Sequence, residues 1–262
     1  MSTTVQYLPA LCVYPGMETE IQHKGNTASP AQQASLDGGF KDRTFPQPAG
    51  SFVLGLTEDG LPLELDLYNP AMGPLLIAGD GGSGKTALLK SLACASDNQD
   101  PGEIQFGVIT PFPEEWTAQE ILPNCLGIWP AFHPATKDFL LKMINWANAL
   151  QRSHQLVLLL VDGLDLLTSG GFNIQHELRH LLMIGPQQHV FPVVAINPGR
   201  LVHLETWLGY FKTRLLGQVK HPQTARLLFK DPTFDLAELE AKQQFCLPGQ
   251  DGWSKFRLQS IE

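Results

Sequence analysis

The chain has 262 residues, of which 43% are hydrophobic and 17% charged, the balance of a globular protein with a sizeable core. Its net charge of −8 argues against a surface that binds nucleic acid non-specifically over its whole area. A local basic strip remains open, because four basic residues lie near one another in the sequence: Lys212, Arg214, Lys220 and Arg226.

The cysteines and the apolar runs indicate in which cellular compartment the protein is expected. No C-x-x-C spacing occurs, which favours buried thiols in a reducing cytosol over disulfides or a zinc knuckle. The four cysteines are Cys12, Cys94, Cys125 and Cys246. The first basic residue is Lys24, without a long apolar stretch before it, so we expect no signal peptide. The aliphatic run at residues 156–161 is too short to span a bilayer, and we expect a cytoplasmic protein.

Two regions differ in composition. Residues 1–50 are rich in Gln, Pro, Gly, Ser and Thr and predict a largely disordered N-terminal segment. Residues 51–262 alternate strand and helix signals and predict one domain. Its first elements form a hairpin, residues 52–56 and 61–67, around the turn Glu58-Asp59-Gly60.

The remaining elements follow in chain order. Predicted strands cover residues 75–78, 104–110, 125–129, 156–161, 190–196, 211–219, 244–247 and 253–258. Predicted helices cover residues 87–93, 135–151 and 174–184. Alternating units with fully apolar strands indicate an α/β fold of the RecA-like P-loop type, with a mostly parallel central sheet covered by helices.

A complete P-loop motif, G-x-x-x-x-G-K-T, lies between the strand at 75–78 and the helix at 87–93. Glycines let the backbone N–H groups converge on phosphate, and the helix dipole adds to the attraction. Lys85 is expected to reach the β- and γ-phosphates, and the Thr86 hydroxyl to bind Mg²⁺. The predicted nucleotide-binding residues are Gly79, Asp80, Gly81, Gly82, Ser83, Gly84, Lys85, Thr86 and Ala87. The expected ligand is ATP with Mg²⁺, and the absence of an N-K-x-D motif favours ATP over GTP.

A second acidic landmark, Asp162, follows the apolar strand at residues 156–161 in the Walker B arrangement. A carboxylate at the end of a buried strand beside the P-loop strand can hold Mg²⁺, directly or through water. Many related motors place a water-polarising Glu directly after this Asp, whereas this chain has Gly163. Asp165 is expected either to cap a helix or to support the site indirectly, and it is a poor replacement for the general base.

The motifs together resemble the FtsK/SpoIIIE family of translocation ATPases. The hairpin and the segment at residues 73–79 are similar to the family's "G-x-D…G-x-P-x-x-x-D-L" and "P-H-L-L-I-A-G" elements, with Leu75 in place of His. Residues 160–167 resemble its second motif, and residues 193–197 resemble its "L-A-T-Q" strand, with Asn197 in place of Gln. The similarity extends over residues 52–258.

The resemblance implies a ring-forming motor that acts on DNA or polypeptide. Lys85 and Asp162 would serve catalysis, and Asn197 would sense the γ-phosphate or merely cap its strand. A neighbouring subunit would supply an arginine. The "P-T-R-I" and "S-R" elements place Arg214 and Arg226 as candidates, with Lys212 in place of Pro, although either arginine could be structural.

Two function classes stay open. The compact spacing and the pair Asp162 and Asp165 most resemble accessory modules of type VII secretion ATPases. Those modules are often catalytically reduced, and the missing Glu after Asp162 is similar. The chain is therefore expected to be either a subunit of an oligomeric motor or a nucleotide-binding module that organises a protein assembly. If only the base is missing, restoring Glu at Gly163 is expected to raise turnover.

A competing motif, H-E-x-x-H, lies on the predicted helix at residues 174–184. His176 and His180 share a helix face and could bind Zn²⁺, with Glu177 as base. The extended metzincin spacing is absent, and a third ligand such as Glu205 lies beyond the next predicted strand. The helix is also needed to cover the sheet, which favours a structural interpretation.

Overall fold

A computed structural model describes residues 50–149, 155–169, 174–201, 203–229, 234–249 and 252–258. Almost all of the predicted N-terminal segment, together with Cys12, lies outside the described residues. In the described part of the chain, none of the helices is long and apolar enough to cross a membrane.

Ten strands form one sheet in the described residues. They are β1 (Ser51–Thr57), β2 (Pro62–Asp66), β3 (Leu75–Ala78), β4 (Ile104–Thr110), β5 (Cys125–Pro130), β6 (Leu156–Asp162), β7 (Val190–Ile196), β8 (Thr213–Leu216), β9 (Gln244–Gly249) and β10 (Gly252–Leu258). Their order is β2-β1-β10-β9-β8-β3-β7-β6-β4-β5. The block from β8 to β5 is parallel. The four strands from β2 to β9 extend it in antiparallel pairing.

Helices cover both faces of this sheet. They are α1 (Lys85–Ser96), α2 (Thr117–Glu120), α3 (Pro134–Asn148), α4 (Leu164–Ser169), α5 (Gln175–Ile184), α6 (Leu204–Leu208) and α7 (Pro222–Leu228). Successive strand residues point to opposite faces, and β3 shows the result. Leu75 and Ile77 enter the core beneath α1, whereas Leu76 and Ala78 enter the core beneath α3 and α5. The predicted α/β class is confirmed.

Predicted and observed elements agree best where apolar runs are short and continuous. β3, β4 and β7 have the predicted bounds, and the hairpin of β1 and β2 pairs as expected. β8 is the main difference, because it covers four residues of the predicted nine. Phe211 and Val219 are buried in the same core without belonging to the strand, so the apolar residues at the two ends of the predicted strand reflect burial rather than strand pairing.

Cysteine burial differs along the chain. Cys246 is fully buried on β9, and burial raises the pKa of its thiol well above the ordinary value. Cys94 and Cys125 are half-buried, and all three are free thiols. The scattered spacing in the sequence is matched by scattered positions in the fold.

The parallel block determines where the polar residues meet. β3 lies between β7 and β8, and β6 lies on the other side of β7. Parallel strands end at the same sheet edge, and ligands of open α/β sheets bind in the crevice outside that edge. The P-loop after β3, Asp162 at the end of β6 and Asn197 after β7 all lie there.

The turn that follows β6 depends on glycine. Gly163 has φ +93°, and its N–H donates to the Ala195 carbonyl at 3.2 Å. An added Cβ would find ordinary contacts, at 3.6 Å from Leu166 and 3.8 Å from Pro111. The obstacle to a side chain here is therefore the left-handed backbone rather than a lack of space.

We expect Gly163→Ala to lower the free energy of unfolding by about 1–3 kcal/mol, because Ala must adopt this left-handed conformation. Denaturant unfolding monitored by circular dichroism measures the change. Gly209→Ala is the matched control, since Gly209 has φ −65° and open space around its Cα. It should be neutral or stabilising, and equal losses in both variants would contradict the backbone explanation.

Candidate functional site

The P-loop turns sharply between β3 and α1 and is held by residues that follow α6 in the chain. Asp80 N–H donates to the Gln218 carbonyl at 2.8 Å, and the Asp80 carboxylate accepts from the Lys220 N–H at 2.8 Å. Gly84 has φ +101°, and a Cβ there would approach Lys242 Cα to 2.8 Å. Glycine is therefore required at position 84 both by conformation and by close backbone approach.

The middle of the loop is open to solvent. An added Cβ on Gly81 or Gly82 would meet nothing within 4 Å. The backbone bonds among the described residues leave the N–H groups of Gly81, Gly82 and Gly84 unused, and the first N–H groups of α1 face the same way by helix geometry. The buried Ser83 hydroxyl also finds no partner among the described residues. Converging donors of this kind suit a phosphate group.

The Lys85 side chain folds back onto the P-loop. Its ammonium donates to the carbonyls of Gly79 at 2.9 Å and Asp80 at 2.8 Å. Burial lowers the pKa of Lys85, while nearby carboxylates, Asp165 first among them, oppose the shift. These two carbonyl contacts are ones that an incoming phosphate can replace with stronger, charge-assisted bonds.

Thr86 and Asp162 meet directly. The Thr86 hydroxyl lies 3.1 Å from each carboxylate oxygen of Asp162 and can donate to one of them at a time. Burial raises the pKa of Asp162, and hydrogen bonding from Thr86 and then Trp116 opposes this. A hydroxyl and a carboxylate side by side are hard oxygen donors of the type that Mg²⁺ prefers. The indole N–H of Trp116 is fully buried and meets no acceptor with ideal hydrogen-bond geometry among the described residues, yet it lies near enough to Asp162 to favour the charged carboxylate.

Asp165, in the helix after β6, connects to the turn after β7. Its side chain is 5% exposed and accepts the backbone N–H of Asn197 at 2.9 Å. Asn197 uses its own side-chain oxygen to accept from the Gly199 N–H at 3.2 Å. Within the described residues the Asn197 amide nitrogen has no acceptor, which leaves a donor at the sheet edge. Asp165 therefore positions Asn197 and does not lie free as a base.

The two arginine candidates have different surroundings. Arg214 donates to the carbonyls of Leu208 and Leu228, each at 2.8 Å. These residues end α6 and α7, so the guanidinium binds the carboxyl ends of two helices, where unpaired carbonyls and the helix dipole favour a cation. Arg226 is exposed in the last turn of α7 and has no ion pair within the described residues. The geometry gives Arg214 a structural role within its own chain.

Sequence reasoning missed three residues close to the P-loop and Asp162. Arg200, in the turn after β7, lies near enough to Lys85 to contribute to lowering its pKa. Trp116 and Glu115 belong to a short 3₁₀ helix, Pro113–Trp116, that follows β4, and both act on Asp162. The sequence offered two signals for them. Arg200 is a basic residue three positions after Asn197, and Glu115 is a carboxylate soon after β4.

The H-E-x-x-H motif lies on α5, and its residues point in different directions. Glu177 is 7% exposed and pairs with Lys137 of α3 at 3.4 Å. The two histidines line a surface cavity of about 430 Å³ with Gln175, Arg179, Met183 and Tyr210. The described residues contain no group of three His, Cys, Asp or Glu that could hold a metal. Since Glu177 faces α3, it does not point into the cavity that the histidines line, as a zincin base would require.

Comparison with known proteins gives structural matches only. No model of a known protein family matches the chain, and no curated protein does. The cytoplasmic domain of the type VII secretion ATPase EccC from Thermomonospora curvata matches with a TM-score of 0.67 and 20% identity, over 82% of this chain and 29% of that one. ATPases 2 and 3 of EccC, in complex with a signal sequence peptide, match with a TM-score of 0.61 and 14% identity, over 82% and 41%.

A conjugation protein shares the same architecture. The pCW3 coupling protein TcpA, with ATPγS, matches with a TM-score of 0.62 and 14% identity, over 85% of this chain and 69% of that one. This chain thus spans less than half of either EccC structure. These likenesses concern the fold, and they agree with the motifs in the sequence. The chain has the fold of the FtsK/SpoIIIE-like P-loop ATPase domains of type VII secretion and conjugation proteins, the family that its motifs resemble.

Proposed function

We propose that this chain binds Mg²⁺–ATP in its P-loop and works as an ATPase subunit of an oligomeric, FtsK-like translocation assembly in the cytoplasm. The observation that carries the proposal is the contact between Thr86 and Asp162 beside the P-loop, whose middle is open to solvent. Two oxygen donors 76 positions apart in the sequence meet next to a cradle of unused N–H groups. Thr86 and Asp162 would thus supply oxygen ligands for Mg²⁺ next to a bound phosphate group.

Each residue then has a distinct task. The N–H groups of Gly81, Gly82 and Gly84 would hold the β-phosphate, and Lys85 would leave its two carbonyls to contact the phosphate oxygens. Thr86 and Asp162 would hold Mg²⁺, which neutralises developing phosphate charge when bound. The amide nitrogen of Asn197, positioned by Asp165, would donate to the γ-phosphate.

A polypeptide is the substrate class that we favour. The net charge of −8 is unfavourable for a DNA-binding surface, and one structure of the same fold was solved with a signal sequence peptide. DNA remains the competing substrate, because another structural neighbour is a conjugation coupling protein. Homo-oligomers would place the exposed Arg226 of one subunit where it can reach the nucleotide of the next.

A second function is supported by one observation, the left-handed backbone of Gly163. A glutamate at this position would be strained in the observed turn, and the usual base after Asp162 is absent. In this alternative the chain binds ATP without turnover and organises a protein assembly. Restoring Glu at Gly163 is consequently a poor test of the motor hypothesis, since the substitution disturbs the turn itself.

The deciding experiment measures ATP binding, ATP hydrolysis and oligomeric state on the same purified chain. Hydrolysis is compared without additive, with double-stranded DNA and with an unfolded polypeptide. Stimulation by polypeptide in an oligomer supports the motor and its substrate class, and stimulation by DNA alone replaces that class. Tight binding without turnover supports the module, and absence of ATP binding refutes both functions.

We expect Lys85→Ala to weaken ATP binding by about 10- to 100-fold or more, because a charge-assisted contact to phosphate is lost. Isothermal titration calorimetry measures the affinity, and circular dichroism checks that the fold persists. Lys142→Ala on the exposed surface of α3 is the control and should bind as the wild type does. Unchanged affinity in Lys85→Ala would refute the P-loop assignment.

The two arginines should respond oppositely. Arg214→Ala should lower the free energy of unfolding by about 2–4 kcal/mol, because the ends of two helices lose a charged donor. Arg226→Ala should leave unfolding unchanged and reduce turnover of the assembly on the order of 1,000-fold, if Arg226 acts on a neighbour's nucleotide. Unfolding curves and steady-state ATPase assays separate the two roles. An unchanged ATPase rate in Arg226→Ala would exclude Arg226 as the arginine that one subunit supplies to its neighbour's nucleotide.

A further inference from the structure

The sheet edge has a carboxylate that the motifs do not account for. β4 lies directly beside β6 in parallel, with Ile109 opposite Val161. Both strands therefore end at the same edge, and Asp162 lies one residue beyond that pair. The chain leaving β4 enters the short helix Pro113–Trp116, which carries Glu114 and Glu115.

This segment passes over Gly163. The Pro111 ring lies 3.8 Å from the place where a Cβ of residue 163 would begin. The segment thus borders the space into which a side chain after Asp162 would project. A carboxylate carried on the same segment can occupy the region that the missing glutamate would have used.

The segment is also well anchored. Phe112 N–H donates to the Thr110 hydroxyl at 3.1 Å, and Glu115 N–H donates to the Phe112 carbonyl at 3.1 Å. Trp116 is fully buried, and the Lys90 ammonium of α1 lies 5.7 Å from the centre of its ring. Because Trp116 is fixed beside Asp162, the residue before it is held near the site while remaining open to solvent.

Glu115 and Glu114 differ in their relation to Asp162. The charge of Glu115 contributes to raising the pKa of the Asp162 carboxyl, after the larger effect of burial, whereas Glu114 has no resolved effect on it. Both glutamates are exposed. Of the two glutamates, Glu115 is therefore the one whose charge acts on Asp162, and it lies on the segment whose Pro111 borders Gly163.

We propose that Glu115 is the catalytic carboxylate that orients and deprotonates the attacking water. The inference rests on the proposed function, since it requires ATP in the P-loop. The water oxygen forms a bond to the γ-phosphorus, and the bond between that phosphorus and the β,γ-bridging oxygen breaks. The water proton passes to Glu115 and is then released to phosphate or solvent, which leaves ADP and inorganic phosphate.

The test compares E115Q with E114Q, which are adjacent, exposed and equal in charge change. We expect E115Q to lower kcat by about 100-fold or more, as for the loss of a general base. Its affinity for a non-hydrolysable ATP analogue, measured by calorimetry, should stay within about 3-fold of the wild type. ATP recovered from gel-filtered E115Q should be intact, and E114Q should behave as the wild type in all three measurements.

Several results would overturn the assignment. Wild-type turnover in E115Q, or an equal loss in E115Q and E114Q, would show that the position of Glu115 is not special. Analogue binding without any wild-type turnover would reject a base at Glu115 and leave the nucleotide-binding module in place. Absence of analogue binding to the wild type would instead refute the proposed function itself, and the role of Glu115 with it.

Discussion

Thr86 and Asp162 lie 76 positions apart in the chain, and their side chains meet at 3.1 Å. This contact depends on parallel pairing of β3 with β7 and of β7 with β6, which brings the ends of all three strands to one edge. A register shift of one residue in either pair would turn the strand's side chains to the opposite face. The chemistry at the edge is therefore determined by sheet register, and the register by apolar cores on both faces.

The local sequence pattern was sufficient to predict strand bounds where both faces of a strand are buried. β3 and β7 are continuous apolar runs buried on both faces, and β4 is apolar apart from Gln105 and Thr110, so their bounds could be predicted from the local sequence. The run around β8 misled, since Phe211 and Val219 are buried without pairing. Strand order could not be predicted, because the antiparallel extension from β9 to β2 depends on contacts between distant segments.

The candidate site divides in the same way. The P-loop and Asp162 carry their signal in adjacent residues, so the sequence located them. The acceptors of Arg214 are the final carbonyls of two helices, and neither helix end could be placed without the fold. The nearness of Glu115 to Asp162 likewise follows from β4 lying beside β6. The left-handed backbone of Gly163 explains why a residue that looked like a defect in a motif suits its turn.

The P-loop is supported largely by residues that come more than a hundred positions after it. Its second residue bonds to Gln218 and Lys220, the Lys242 N–H donates to the Ser83 carbonyl at 3.0 Å, and the Gly84 backbone packs against Lys242. A ribosome thus completes the motif long before it completes the loop's supports. The supports of the phosphate-binding loop are therefore complete only when the segments after α6 have joined the fold.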